Sequence, residues 1–213
     1  MIKKYIVIAG NIGVGKSTLV ELLCQKLYWQ PFFEPESENP YLADFYGNMQ
    51  RWGFHSQIYF LARRLESYQE LEGFRSSTIL DRSIYEDAEI FAHNLYLQGH
   101  LSHRDYDTYR TLYESVARLL PPPDLVIYLR ASVPTLLKRI NLRGRSYEAG
   151  IDPAYLEQLN ELYEDWIGHF TLCPVLTVPA DRLDYVAHPE HLDQIAGKVQ
   201  QKLAGKEEVL FDD

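Results

Sequence analysis

The chain has 213 residues, of which 46% are hydrophobic and 24% charged, so it can build the core of one sizeable domain and has no compositional basis for disorder. Its formal net charge of −9, from 21 Lys and Arg against 30 Asp and Glu, argues against nucleic acid or an anionic membrane as a partner. The two cysteines, Cys24 and Cys173, lack the spacing of a disulfide framework or a zinc site, and the apolar run after the first lysines is too short for a membrane span. We therefore expect a single cytoplasmic domain over residues 1–213.

Short apolar runs alternate along the chain with segments of helical periodicity. The runs lie at residues 5–9, 31–33, 78–80, 125–129 and 175–178. Buried strands that alternate with helices predict an α/β fold with a five-stranded parallel sheet. Predicted helix starts lie at Asn39–Pro40, Ser102 and Asp152–Pro153, and the prolines at 121–123 end a helix before the fourth strand. The acidic tail, about residues 205–213, is predicted to fray.

A glycine-rich loop follows the first strand and precedes the first helix. Residues 10–17, GNIGVGKS, match the pattern GxxxxGK[ST]. Glycines let successive N–H groups point at phosphate oxygens, Lys16 would neutralise the β- and γ-phosphates, and the Ser17 hydroxyl would bind Mg²⁺. The predicted nucleotide site comprises Gly10, Asn11, Ile12, Gly13, Val14, Gly15, Lys16, Ser17 and Thr18. GTPases, motors and small-molecule kinases all use such a loop, so it does not name the reaction.

A second basic feature lies downstream of the fourth strand. Arg139 and Arg143 are four residues apart, hence on one helical face, and Gly144 loosens the backbone so that Arg145 can turn inward. These arginines supply the local positive charge that an acidic chain needs in order to bind a polyanion.

Several further segments, in order and at matching spacing, resemble the deoxyribonucleoside kinase family, most of all its short bacterial deoxyadenosine/deoxycytidine kinases. The resemblance extends from residue 5 to about residue 203. It is carried by the phosphate loop, by Glu34 after the second strand, and by residues 39–46, 51–57 (RWGFHSQ), 81–87 (DRSIYED) and 143–148 (RGRSYE). It implies a P-loop NTPase-type three-layer sandwich with an arginine lid, and ATP and Mg²⁺ as phosphoryl donor and cofactor.

The resemblance also implies catalytic roles. The carboxylate that matches Glu34 accepts the proton of the nucleoside 5′-hydroxyl, and Arg82 contacts the 5′-oxygen and the phosphoryl group in transit. Asp81 would help Ser17 hold Mg²⁺. Many relatives have Glu at this position, and because aspartate is one methylene shorter, Asp81 would contact the ion through a water molecule. The lid, about residues 139–150, would close its arginines over the phosphates. The residues with implied catalytic roles are Glu34, Arg82, Lys16, Arg143 and Arg145.

The nucleoside pocket implied by the resemblance contains Glu34, Tyr46, Trp52, Gln57, Arg64, Arg82, Asp87, Phe91 and Glu148. Tyr46 and Glu148 would hold the sugar 3′-hydroxyl and leave little space for a 2′-hydroxyl. Gln57 can offer a donor and an acceptor to a base edge, and Phe91 can stack on the base.

Asp87 and Arg64 would decide the base. Asp87 would accept a hydrogen bond from an exocyclic amine, and Arg64 would orient it through a bidentate pair. Adenine, cytosine and guanine carry such an amine and thymine does not. We therefore expect deoxyadenosine to be preferred, then deoxycytidine or deoxyguanosine, with thymidine poor.

The resemblance is weaker in the remaining features. Asp184 and Tyr185 follow the fifth strand, about where relatives hold the adenine of ATP. The family tends to dimerise through long helices, here 51–73 and 86–98, which implies a homodimer, with a heterodimer of paralogues as the alternative.

Two other functions share part of this pattern. A nucleoside monophosphate kinase of the thymidylate type has a phosphate loop, a DR dipeptide and an arginine lid, but residues 46–57 and the context of Glu34 argue against it. A nucleotide-switched binding protein that reads guanine would carry an NKxD segment, and the sequence contains none.

Overall fold

The computed structural model describes residues 3–33, 38–148 and 150–204, apart from the side chain of Glu72. The predicted acidic tail, about residues 205–213, and Glu34 lie outside the described residues. Among the helices that are described, none combines the length and the apolar composition that a membrane span requires.

A parallel sheet forms the centre of the described structure. Its five strands are β1 (Tyr5–Gly10), β2 (Gln30–Phe32), β3 (Thr78–Asp81), β4 (Leu125–Arg130) and β5 (Val175–Pro179). Their order is β2-β3-β1-β4-β5, with Ile8 of β1 paired with Asp81 on one side and Ile127 on the other. The predicted five-stranded parallel sheet is confirmed, and its three central strands, β1, β3 and β4, are buried between helical layers, whereas the edge strands β2 and β5 are partly exposed.

The described helices occupy the segments between the strands and the segment after β5. They are α1 (Lys16–Leu27), α2 (Leu42–Gly47), α3 (Met49–Gly73), α4 (Ile84–Glu86), α5 (His93–Leu97), α6 (His103–Ala117), α7 (Val133–Arg143), α8 (Pro153–His169) and α9 (Pro189–Ala204). A π-helical segment, Asp87–Ala92, joins α4 to α5 in one continuous run, and a 3₁₀ turn, Ser146–Glu148, follows α7.

Alternate residues of the strands face two different helical layers. Ile6 and Ile8 pack with α1 and α9, whereas Val7 and Ala9 pack with α3 and α8. Side chains along a strand point to opposite faces in turn, so a strand with both faces covered must be apolar throughout. The three layers leave the carboxyl ends of the strands open, which is where parallel sheets place their ligands.

Two of the three predicted helix starts are confirmed. The Ser102 side chain accepts a hydrogen bond from the Asp105 N–H, and the Asp152 side chain accepts one from the Ala154 N–H. The start at Asn39–Pro40 is wrong, since α2 begins at Leu42. Asn39 instead accepts from the Tyr41 N–H at 2.9 Å and donates to Ser56 Oγ at 3.0 Å, so its side chain fixes the turn before the helix.

Candidate active site

The phosphate loop curls tightly between β1 and α1. Gly13 has φ +79°, and a Cβ at that position would lie 2.6 Å from Ile140 Cγ1. Gly15 has φ +103°, and a Cβ there would lie 2.6 Å from the Tyr185 hydroxyl. Both positions therefore require glycine for backbone conformation and for space.

Two polar side chains hold this loop in place. The ammonium of Lys16 is buried and donates to the carbonyl of Gly10 at 2.9 Å and of Asn11 at 3.1 Å. The Asn11 side chain donates to the Leu156 carbonyl at 2.9 Å and to Asn160 Oδ1 at 2.8 Å, both on α8. The loop is thus anchored to α8 as well as to its own helix.

The end of β3 lies beside the first turn of α1. The Ser17 hydroxyl donates to Asp81 Oδ2, while Asp81 Oδ1 is buried and has no hydrogen-bond partner among the described residues. Hydroxyl and carboxylate oxygens are ligands that suit Mg²⁺ and the water bound to it, so this pair fits the predicted metal site.

Arg82 follows Asp81 in an unusual backbone conformation. Its φ is +69°, in the left-handed region that non-glycine residues seldom adopt. Its guanidinium carbon lies 4.2 Å from the centre of the Phe91 ring. The turn and the aromatic ring together direct a buried cation into the cavity described next.

A cavity of about 300 Å³ opens at the carboxyl ends of β1 and β3. The predicted site residues that line it are Ile12, Gly13, Lys16, Ser17, Tyr46, Gln57, Asp81, Arg82, Asp87, Phe91, Arg143, Arg145 and Glu148. Phe33, Phe60, Tyr147 and Tyr155 also line it, and the sequence did not single them out. We call this space the acceptor cavity.

Polar groups are buried in one wall of the acceptor cavity. Gln57 is 4% exposed, and its Oε1 has no hydrogen-bond partner among the described residues. Asp87 is 2% exposed and accepts from Arg64 Nε at 3.0 Å, while Arg64 Nη1 donates to the Asp81 carbonyl at 3.1 Å. Arg64 therefore lies behind Asp87, where it orients the carboxylate without lining the cavity.

The segment that carries Arg143 and Arg145 forms another side of the acceptor cavity. Helix α7 ends at Arg143, and Gly144 turns the chain with φ +68°. Arg143 Nη2 donates to both oxygens of the buried Glu148, at 2.5 and 2.6 Å, and Arg145 Nη1 lies 3.7 Å from Glu148 Oε1. The 3₁₀ turn thus brings a predicted sugar-binding carboxylate into contact with two predicted lid arginines.

A second cavity, of about 410 Å³, lies on the other side of the phosphate loop, and we call it the donor cavity. It is lined by Gly13, Gly15, Lys16, Ser17, Thr18, Arg139, Arg143, Arg145, Leu183, Asp184, Tyr185 and Val186. Gly13, Lys16, Ser17, Arg143 and Arg145 line both cavities. The cationic groups therefore concentrate where the two spaces meet.

The loop after β5 supports the phosphate loop from the donor side. Tyr185 donates its hydroxyl to the Gly15 carbonyl at 2.9 Å, and burial raises the pKa of Tyr185 to about 12, so it stays a neutral donor. Arg139 donates to the carbonyls of Val14 at 2.6 Å and Ala180 at 2.9 Å. In this structure Arg139 joins the two loops through their carbonyls.

Asp184 caps its own loop. Its Oδ1 accepts from the backbone N–H of Ala187 at 2.9 Å and of Val186 at 3.1 Å. These backbone hydrogen bonds lower the pKa of Asp184. The carboxylate therefore shapes the rim of the donor cavity.

Besides Arg64, one further described residue of the predicted pocket does not line the acceptor cavity. Trp52 is absent from the described lining and stacks on Tyr41 with ring centres 5.7 Å apart. It packs beside a core cluster that contains Phe45. The indole therefore contributes to the packing of α3 against this cluster and not to the lining of the acceptor cavity.

Glu86 and Tyr163 were not predicted as site residues, although both contact the phosphate loop. Glu86 Oε1 accepts from the Gly10 N–H at 3.2 Å, and the Tyr163 hydroxyl lies 2.9 Å from the Gly10 carbonyl. The sequence signal for Glu86 was that a second acidic residue directly precedes Asp87.

Comparison with known proteins identifies the family. A model described as "Deoxynucleoside kinase" matches residues 6–204. The chain belongs to the deoxynucleoside kinase family. The kinase is 38% identical over 196 residues to deoxyadenosine/deoxycytidine kinase of Bacillus subtilis (strain 168), which covers 91% of this chain and 90% of that protein. It is 36% identical over 217 residues to deoxyguanosine kinase of Lactobacillus johnsonii, with 98% and 95% covered.

A solved structure agrees with this assignment. Deoxyadenosine kinase from M. mycoides with bound dATP matches the kinase with a TM-score of 0.82 and 34% identity, covering 92% of this chain and 99% of that one. The predicted family, the P-loop NTPase-type fold and the phosphotransferase class are confirmed. Membership of this family argues against the monophosphate kinase and the nucleotide switch.

Proposed function

We propose that the kinase uses Mg²⁺ and transfers the γ-phosphoryl group of ATP to the 5′-hydroxyl of a deoxyribonucleoside. The observation that carries this proposal is the pair of cavities that meet at Lys16, Ser17, Arg143 and Arg145. A phosphoryl group passing between two bound molecules needs positive charge at that junction, and little covalent chemistry from the protein.

Deoxyadenosine is the preferred acceptor in this proposal, followed by deoxycytidine or deoxyguanosine. Gln57 Oε1, which is buried and has no hydrogen-bond partner in the described part of the chain, and the Asp87 carboxylate both offer acceptors to an exocyclic amine. Thymine would set a carbonyl oxygen against these acceptors, which is repulsive. The names of the two bacterial relatives, deoxyadenosine/deoxycytidine kinase and deoxyguanosine kinase, include the three acceptors of this proposal.

The sugar would lie between Tyr46 and Glu148, which both line the acceptor cavity. Tyr46 stacks on Tyr147 with ring centres 5.8 Å apart, so its position is restricted. We propose that Tyr46 and Glu148 bind the 3′-hydroxyl, with Phe91 against the base.

Glu34, outside the described residues, is proposed to accept the proton of the 5′-hydroxyl. It follows Phe33, which lines the acceptor cavity. Ser17 and Asp81 would hold Mg²⁺, which neutralises phosphate charge when bound. Lys16 and the arginines at the junction would stabilise the charge on the transferring group, and Arg82 would contact it from the acceptor side.

The donor cavity would take the nucleotide. Thr18 and the backbone of residues 10–17 would face the phosphates, and Asp184 and Tyr185 would border the adenine. Arg139 is proposed to hold the phosphate loop against the loop after β5, since it donates hydrogen bonds to a backbone carbonyl of each loop.

A phosphorylation panel tests this function. The four deoxynucleosides and dAMP are supplied separately with ATP and Mg²⁺, and the products are separated by chromatography. We expect kcat/KM to be highest for deoxyadenosine and lowest for thymidine. A higher kcat/KM for thymidine would refute the base assignment, and turnover of dAMP alone would refute the nucleoside acceptor.

The single domain over 1–213, the cytoplasmic location and the homodimer stay predictions. The two helices predicted to form the dimer contact are present as Met49–Gly73 and the run from α4 to α5. Light scattering coupled to gel filtration would give the mass of the particle in solution.

A further inference from the structure

Glu86 is a fully buried carboxylate that binds two parts of the active site at once. Its Oε1 accepts from the Gly10 N–H at 3.2 Å, in the phosphate loop, and from the Tyr163 hydroxyl at 2.8 Å. Its Oε2 accepts from the Ser83 N–H at 2.9 Å and from Ser83 Oγ at 3.2 Å, in the turn after β3. Each oxygen accepts one backbone N–H, an arrangement that suits a carboxylate and not an amide.

Tyr163, on α8, completes the contact with the phosphate loop. Its hydroxyl lies 2.9 Å from the Gly10 carbonyl as well as 2.8 Å from Glu86, so its proton is shared between two acceptors. The same carbonyl accepts from Lys16 Nζ at 2.9 Å. Both backbone polar groups of Gly10 are therefore held by the Glu86–Tyr163 pair, next to the predicted phosphate-binding lysine.

The hydrogen bonds from Ser83 to Glu86 restrain the backbone conformation of Arg82. The Ser83 N–H belongs to the peptide bond that follows Arg82, whose φ is +69°. A non-glycine residue stays in this region only when its surroundings hold it there. By binding the Ser83 N–H and hydroxyl, Glu86 holds the peptide that sets the direction of the Arg82 side chain.

Glu86 also interacts electrostatically with Arg82 and Lys16. Burial raises the pKa of Glu86, while the positive charges of Arg82 and Lys16 act in the opposite direction. Neither Glu86 nor Tyr163 is among the described residues that line either cavity. Any effect on the reaction must therefore pass through the groups that they hold.

We propose that Glu86 and Tyr163 are positioning residues for phosphoryl transfer, which join the phosphate loop to the turn that carries Arg82. This inference rests on the proposed function, in which Lys16 and Arg82 act on the same phosphoryl group. Charge stabilisation in the transition state depends on fixed distances, so loosening this joint lowers kcat more than it weakens nucleoside binding.

The test compares two neighbouring tyrosines. Tyr128 stacks on Tyr163 with ring centres 5.7 Å apart and is 2% exposed. Its hydroxyl donates to Glu164, whose other hydrogen-bond donor among the described residues is Arg130, so this bond does not involve the phosphate loop. Tyr163→Phe and Tyr128→Phe therefore remove the same atom from stacked core rings. Melting temperature, kcat and KM for deoxyadenosine are measured for both.

We expect Tyr163→Phe to lower kcat about tenfold or more, with KM for deoxyadenosine within about twofold of wild type, because misplacement of charged groups acts on the transition state. Tyr128→Phe is expected to keep both constants within about twofold, as a change remote from the reacting groups should. A fall in kcat no larger in Tyr163→Phe than in Tyr128→Phe would overturn the inference. If wild type phosphorylates no deoxynucleoside, the proposed function fails instead.

A second variant tests whether the two residues act together. Glu86→Gln sets an amide N–H₂ against the N–H of Gly10 or Ser83, so we expect a larger fall in kcat than in Tyr163→Phe. If the two side chains form one joint, the double variant should lose no more activity than Glu86→Gln. If the fall in kcat of the double variant equals the product of the two single falls, the residues act independently and the inference that they form one joint is overturned. If Glu86→Gln does not fold, the comparison of Tyr163→Phe with Tyr128→Phe alone decides the inference.

Discussion

Asp87→Asn is the substitution on which the substrate assignment depends most. The Arg64–Asp87 pair is buried, with side chains 5% and 3% exposed and Nε 3.0 Å from Oδ2. Removing one partner of a buried ion pair costs about 3–5 kcal/mol, because the other charge stays without compensation. Asparagine keeps the shape and one acceptor for Arg64, so we expect the free energy of unfolding to fall by about 3 kcal/mol, the lower end of that range.

The same substitution should change base selectivity. A hydrogen bond to a charged group contributes about 1.5–3 kcal/mol, and losing about 2 kcal/mol corresponds to about a 30-fold lower kcat/KM for deoxyadenosine. An amide can present a donor as well as an acceptor, so thymidine should lose much less. The ratio of kcat/KM for deoxyadenosine to that for thymidine is therefore expected to fall.

Urea unfolding and the phosphorylation panel measure these two effects separately. The matched control is Glu164→Gln, which removes the charge from the Arg130–Glu164 pair, whose side chains are 54% and 45% exposed. An exposed pair contributes less than about 1 kcal/mol, so the control should change neither stability nor selectivity appreciably. A destabilised Asp87→Asn enzyme with an unchanged selectivity ratio would show that Asp87 has a structural role only.

Three further predictions follow from other parts of the site. Glu34→Gln should lower kcat by about 10²-fold or more while calorimetry shows ATP binding nearly intact, since only the proton acceptor is lost; an unchanged kcat would remove Glu34 from this role. Gly15→Ala should weaken ATP binding, because its Cβ would lie 2.6 Å from the Tyr185 hydroxyl at φ +103°, whereas Gly197→Ala, with nothing within 4 Å of the added Cβ, should bind ATP as wild type does; equal affinities would contradict the crowding at the loop. Burial raises the pKa of Glu86, so its contribution to stability is full below the ordinary carboxyl pKa and is lost as pH rises through the raised pKa. Urea unfolding should therefore show a larger deficit for Glu86→Gln at about pH 5 than at about pH 8, and a deficit that is smaller at the lower pH would reverse this sign.

Local sequence determined the strands and the phosphate loop. The central strands β1, β3 and β4 are short apolar runs, and they are buried because helices cover both faces of a parallel sheet. The loop conformation depends on glycines and a lysine within eight positions, 10–17, so its spacing alone predicts a phosphate site. The helix starts at Ser102 and Asp152 could be predicted for the same reason, because a capping side chain accepts a hydrogen bond from a backbone N–H only two or three residues away.

Contacts between segments that are distant in the sequence could be predicted only from the resemblance to a family. Arg64 and Asp87 are 23 residues apart, and nothing in their spacing shows that they form a buried pair. The resemblance also placed Trp52 at the pocket, whereas the indole packs against Tyr41. Periodicity fixes which side of a helix is apolar, but it does not say which neighbour covers it.

The Glu86 network was decided by the tertiary structure alone. Glu86 and Gly10 are 76 residues apart, and Tyr163 and Gly10 are 153 apart. Adjacent acids such as Glu86 and Asp87 look alike in a sequence, but successive residues of a helix point about 100° apart, so one faces the phosphate loop and the other Arg64. The sequence thus determined which groups can bind phosphate, and packing of the helices against the sheet decided which groups hold them in place.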